Sequence, residues 1–152
     1  MSIDVGHLGL FLSQHFDREV FAAMEKAGFS KVRTSHGDVV QRLLEGPQPV
    51  TAIAKDLGVT QQAISKLLGE MTVLGLVEPA GQFDDKRQRR VQLTARGKKC
   101  VQVSRAARLA VSNKLARQLG RSTLQRLETQ LTGALGGLDA VTDRRVKLPR
   151  HH

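Results

Sequence analysis

The sequence has no tryptophan, no tyrosine and only one cysteine among its 152 residues. A lone thiol, Cys100, excludes a disulfide framework and a cysteine-rich zinc site. No apolar run approaches the roughly 20 residues that span a bilayer. The opening Met1-Ser2-Ile3-Asp4 lacks the basic region and long apolar stretch of a secretory leader. A cytoplasmic chain with no membrane partner is therefore expected. Catalytic signatures are missing too: there is no phosphate-cradling glycine loop, no nucleophile elbow and no His-Glu metal helix. Asp84-Asp85 pairs two carboxylates, but beside a basic hairpin tip they are badly placed for acid–base catalysis. Neither an enzyme nor a cofactor is expected.

Acidic charge is scarce in the second half. Residues 1–85 hold 7 Lys/Arg against 11 Asp/Glu, a net −4, whereas residues 86–152 hold 17 against 3, a net +14. From Lys86 through Leu127 no side chain is acidic and 13 are basic. A solvated face on long helices could carry this charge. A polyanion partner accounts for it better, because neutralising phosphates releases counterions and drives association. Charge alone does not separate DNA from RNA or a membrane surface.

What is present suffices for a core. The chain is 40% hydrophobic, and its length suits one compact domain with or without helical extensions. Val5, Leu8, Leu12, Phe16 and Val20 recur at three and four, predicting a helix over 3–26 that Gly28 ends. Ser35 offers an N-cap for a second helix, stopped by Gly46-Pro47. Thr51–Leu57 makes a short third helix, and Thr60 caps a fourth built on Ile64, Leu67, Leu68 and Met71.

The period then changes. Leu76-Val77-Glu78 and Arg90-Val91-Gln92-Leu93 read as two strands of a ribbon, with a polar loop from Gly81 to Gln88 between them. Pro79 points to an edge position or an early strand end. Helical spacing returns from Thr94 to Gly120. Ser122 with Gln125 then suggests a capping box before Leu124, Leu127, Leu131, Leu135 and Leu138. The predicted order is six helices with one hairpin after the fourth.

Thr51–Gly75 has the marks of a helix-turn-helix: small Ala54 at the crossing, Gly58 in the turn, Val59, Ile64 and Leu67 turned inward. That leaves Thr60, Gln61, Gln62, Ser65, Lys66 and Gly69 outward. Such a face can bond phosphates and base edges, and Gln suits bidentate contact with adenine.

Four stretches closely resemble the MarR family of winged helix-turn-helix transcription regulators. They are Ser35–Val40, Ile53–Leu67, Leu74–Glu78, and Asp85-Lys86-Arg87 together with Val91–Gly97. The resemblance implies a mainly α fold with a small β-hairpin wing, a winged helix-turn-helix domain plus a helical dimerisation region. By that reading residues 1–33 form an N-terminal dimerisation helix and 34–96 the DNA-binding domain. Residues 97–142 form the C-terminal dimerisation helices and 143–152 a flexible tail. It implies a homodimer on a pseudo-palindromic operator in double-stranded DNA, acting as a repressor that a small-molecule effector releases. DNA contacts would come from Thr60, Gln61, Gln62, Ser65 and Lys66, and from Asp85, Lys86, Arg87 and Arg89 at the wing. Asp85 would orient a basic neighbour, and Arg87 would enter the minor groove. Phe83 departs from the proline that relatives often carry.

Family members often release DNA on binding small aromatic acids or other toxic compounds in a cleft between the dimer helices and the DNA-binding lobe. The matching residues here are Phe11, His15, Phe16, His36 and Arg108, with Lys114 a further cation. Core packing explains the phenylalanines more simply. Lys98 and Lys99 could lower the pKa of Cys100, although a half-buried inert thiol is the simpler expectation. The histidines and carboxylates of the first 36 residues are too scattered for a metal site. The rival to a regulator is an architectural DNA-coating protein without effector, which the basic second half would serve.

Overall fold

A computed structural model describes residues 3–81 and 89–137. Helix α1 (Val5–Lys26) starts on Asp4, whose carboxylate accepts from the His7 backbone N–H at 2.9 Å and lies 2.8 Å from His7 Nδ1. The bond from that N–H, then the ring contact, hold the Asp4 pKa below its ordinary value. Only the second half of α1 buries side chains, Val20 and Met24. Val5, Leu8 and Leu12 of the predicted stripe are exposed, as are Ile3, Leu10 and Phe11.

Helix α2 (Thr34–Arg42) begins one residue before the expected cap. Ser35 sits inside it rather than capping it. The Arg33 backbone N–H donates instead to His36 Nδ1 at 3.1 Å, so an imidazole three residues on fills the capping role. A two-residue strand, β1 (Gln48–Pro49), follows and had no counterpart in the sequence reading. Helices α3 (Val50–Leu57) and α4 (Gln61–Val73) are joined through Gly58 in the left-handed conformation, φ 61° and ψ 36°. Thr60 caps α4 as expected, its Oγ1 accepting from the Ala63 N–H at 3.1 Å.

Strands β2 (Val77–Pro79) and β3 (Arg90–Leu93) pair antiparallel, with Val77 opposite Leu93 and Pro79 opposite Val91. The expected two-stranded ribbon is a three-stranded sheet in the order β1-β3-β2, because Gln48 also pairs with Val91. Strand β2 is an edge, and Pro79 faces Val91 at a position that needs no N–H; the Ala80 N–H still donates to the Arg90 carbonyl at 3.1 Å. The residues expected to form the hairpin tip, 82–88, lie outside the described ones.

Helix α5 (Ala95–Leu119) starts against this sheet. Thr94 Oγ1 donates to the Gly75 carbonyl at 2.5 Å and accepts from the Gly97 N–H at 2.9 Å. A Cβ on Gly97 would run into the Leu76 carbonyl and lie 3.2 Å from the Leu93 side chain, so only glycine allows this approach. Helix α6 (Arg121–Ala134) follows directly from Gly120, which ends α5 at φ 84° and begins α6. Ser122 is therefore already helical, and the expected capping box is not formed.

Ile53, Ile64, Met71, Leu76, Val39 and Val77 are buried at 2% exposure or less, so the core lies under α2, α3, α4 and the sheet. Among the described residues α6 has no fully buried side chain; Leu124 is half-buried, and Leu127, Leu131 and Leu135 are exposed. Among the described residues no helix is long and apolar enough to cross a membrane.

Candidate nucleic-acid interface

Helix α4 is held by one face and presents the other. Ile64, Leu68 and Met71 are buried, with Leu67 packed against them, which pins the helix over α3. Gly58 lets the chain reverse so that the Val59 N–H reaches the Ala54 carbonyl at 3.0 Å. The opposite face carries Thr60, Gln61, Gln62, Ser65, Lys66 and Gly69, all exposed. The sequence-predicted outward set is thus the observed one. Unbonded N–H groups and the positive dipole end at the start of α4 favour a phosphate there. The side chains beyond can reach base edges.

The base of the wing is tied to the same unit. The Arg89 carbonyl accepts from the Val50 N–H at 2.9 Å, fixing the entry to β3 against the start of α3. Arg90 Nη2 donates to the Pro47 carbonyl at 3.0 Å. Arg89 and Arg90 are both exposed. Asp85, Lys86 and Arg87 lie outside the described residues.

Two arginines that the sequence reading did not single out join α4 to the rest of the chain. Arg33 contacts the Glu70 carboxylate on α4. Arg96 Nε donates to the Leu74 carbonyl at 3.0 Å and its Nη2 to the Gly28 carbonyl at 2.7 Å, while its guanidinium lies 4.5 Å from the Phe29 ring centre. Arg96 stands inside a quoted motif, but nothing in its local spacing announces partners 22 and 68 residues away.

The expected effector-lining residues are only partly assembled. Phe16 and Arg108 meet, with 5.7 Å from the guanidinium carbon to the ring centre. His15 is half-buried, and Phe11 is exposed on the N-terminal half of α1. His36 is not a cleft residue: at 1% exposure it is packed beneath α4, facing Glu70. Two surface cavities, of about 610 and 430 Å³, are lined by none of these five. Cys100 is buried, and burial pushes its thiol pKa up against the opposing charge of Arg96, so no activation by Lys98 and Lys99 prevails. Among the described residues no group of three or more His, Cys, Asp or Glu is placed to hold a metal ion.

The class follows from this arrangement. Residues 39–97 match the family described as "Winged helix DNA-binding domain", and α3, α4 and the sheet supply the parts of that domain. Solved structures extend the likeness to nearly the whole chain. RV1404 from Mycobacterium tuberculosis aligns at a TM-score of 0.74 and 16% identity, covering 90% of this chain and 95% of its own. Wild-type MarR from E. coli, in its apo form, aligns at 0.66 and 22%, covering 89% and 98%. A mutant of MepR from S. aureus, bound to an oligodeoxyribonucleotide, aligns at 0.60 and 20%, covering 89% and 98%. No curated protein sequence matches. The chain thus shares its fold with these solved structures over nearly its whole length, and its residues 39–97 are similar to a winged helix DNA-binding domain, as its motifs led one to expect.

Proposed function

We propose that this chain is a homodimeric, sequence-reading transcription repressor of the MarR type, released from its operator by a small-molecule effector. The observation that carries the reading is the exposed row Thr60, Gln61, Gln62, Ser65 and Lys66 on a helix whose other face is fully engaged in the core. Rigid backing with polar, hydrogen-bonding side chains outward is what base readout requires. Lys66 and Thr60 would set the helix on phosphates, and Gln61 and Gln62 would read bases. Arg89, with Asp85, Lys86 and Arg87 beyond it, would serve the wing.

Dimerisation is supported by what the single chain leaves uncovered. Leu8 and Leu12 on α1, Leu109 and Leu119 on α5, and Leu127, Leu131 and Leu135 on α6 are all exposed. Burying such surface is worth about 25 cal/mol per Å². A second copy would cover it by two-fold symmetry and set two α4 helices for two half-sites. Residues 1–33 and 97–142 would form this interface around the DNA-binding domain of 34–96.

The coating alternative draws on the basic second half, where Arg105, Arg108, Lys114 and Arg117 are exposed. Footprinting on a long duplex of mixed sequence tests between them. Discrete protected segments that persist as salt is raised are expected of the regulator. Uniform protection that vanishes with salt would overturn it.

A further inference from the structure

We propose that Gly69 marks the point where α4 comes closest to its duplex, and that the sugar–phosphate backbone bordering the major groove lies against it. This rests on the proposed function and extends its interface past Lys66 into the C-terminal half of α4.

Burial fixes which line of α4 points away from the core. Ile64, Leu68 and Met71 are buried. At 3.6 residues per turn the direction opposite them passes through Gln62, Lys66, Gly69 and Val73. All four are exposed, Val73 at 89%. Gly69 thus stands at the centre of the outward face, in line with Gln62 and Lys66.

Nothing within the described residues calls for a glycine there. Gly69 has ordinary helical backbone with no positive φ, and a Cβ built on it meets no described atom within 4 Å. Gly97 is the contrast, since the Leu76 carbonyl leaves it no room. In an exposed helix interior glycine is among the poorest helix formers and alanine the best. The free chain is therefore less stable for having Gly69. Val73, on the same line, is a stiff β-branched residue left almost wholly in water, a second costly choice. Local choices that weaken the fold and serve no internal contact belong where a partner sets the constraint.

The dimensions of α4 name that partner. Its 13 residues span about 20 Å, whereas the major groove is about 12 Å wide. A helix whose first turns reach base edges therefore leaves the groove before it ends. Gly69 lies two turns past Gln62, about 10 Å along the axis, which puts it at the groove's edge. The bordering strand offers sugar and phosphate there, not bases. Without a Cβ at that point the strand can approach the α4 backbone itself, and Lys66, one turn earlier, stands beside the same phosphates.

Gly69→Ala and Gly69→Leu test this with two readouts that should move in opposite directions. Both place a good helix former in open space, so melts of the full chain should rise, by about 2–4 °C for alanine. Anisotropy titrations then use two labelled duplexes, one selected by the wild-type chain from a random pool and one a scramble of it. Gly69→Ala should weaken both by about tenfold and Gly69→Leu by more, with the ratio between the duplexes kept. A merely structural role cannot raise the melt and lose the DNA together. Unchanged affinity in both variants overturns the proposal. So does a fall confined to the selected duplex, which would put a base edge at Gly69. A lowered melt in both variants also overturns it, by making the glycine a need of the fold. A wild-type chain that selects and holds no duplex overturns the proposed function and this inference with it, a result visible before any variant is made.

Discussion

His36 Nε2 lies 3.5 Å from Glu70 Oε2, fully buried and without a hydrogen-bond partner among the described residues, while Arg33 holds the same carboxylate oxygen from the solvent side. The imidazole thus spans from the start of α2, where its Nδ1 receives the Arg33 N–H, to the middle of α4. Burial lowers its pKa; the Glu70 carboxylate opposes this and the Arg33 charge adds to it, with burial prevailing.

Stability should therefore depend on pH in one direction. The unfolded chain takes up a proton near the ordinary histidine value of about 6.5, and the folded chain only at lower pH. The His36 contribution is full above that value and is lost as pH falls below it. Thermal melts between about pH 7.5 and pH 5 should show a falling midpoint. His36→Gln should lower the midpoint at neutral pH and flatten this part of the profile. A wild-type midpoint that rises on acidification would contradict the assignment.

Gly97 sits where a side chain has no room. Gly97→Ala must push α5 off the Leu76 carbonyl, and overpacking of this kind costs about 1–3 kcal/mol. At this size that is roughly 2–4 °C of melting temperature per kcal/mol. A melt indistinguishable from wild type would show that the start of α5 can slide.

Cys100 should be inert. Its thiol is buried and its pKa raised, so a thiol-reactive reagent should label the native chain slowly and the denatured chain at once. Peroxide should leave DNA binding unchanged. Fast native labelling would reopen a redox role.

Leu131→Glu places a charge on the uncovered stripe of α6. Sedimentation should move from the proposed dimer to a monomer, with the fold retained because Leu131 is exposed in the single chain. A variant that remains dimeric would put the interface elsewhere.

How much of this was legible in the sequence depended on how local each signal was. The bounds expected for α1, α3, α4 and α5 lie close to the observed ones, because periodicity and a threonine cap such as Thr60 are short-range features. Strand β1 was not, since two residues ending in proline show no alternation. Ser35 and Ser122 looked like caps by residue type, yet a histidine and a glycine took those roles through backbone geometry. The outward face of α4 could be read because its buried positions could. The ties of Arg33 and Arg96 could not, as each joins residues far apart in the chain. His36 was misjudged for the same reason: it looks like a cleft residue until α4 is laid over it.

Whether α4 reads sequence in a symmetric pair is tested most directly by selection of bound sequences from random duplex DNA. The selection is run at near-physiological salt, with the wild-type chain and Gln62→Ala in parallel. The wild type should enrich a pseudo-palindrome with half-sites about one helical turn apart. Gln62→Ala should relax one position in each half-site, a loss of about 1–3 kcal/mol of discrimination. Enrichment of no sequence by the wild type, with binding that fails steeply as salt rises, would contradict the account.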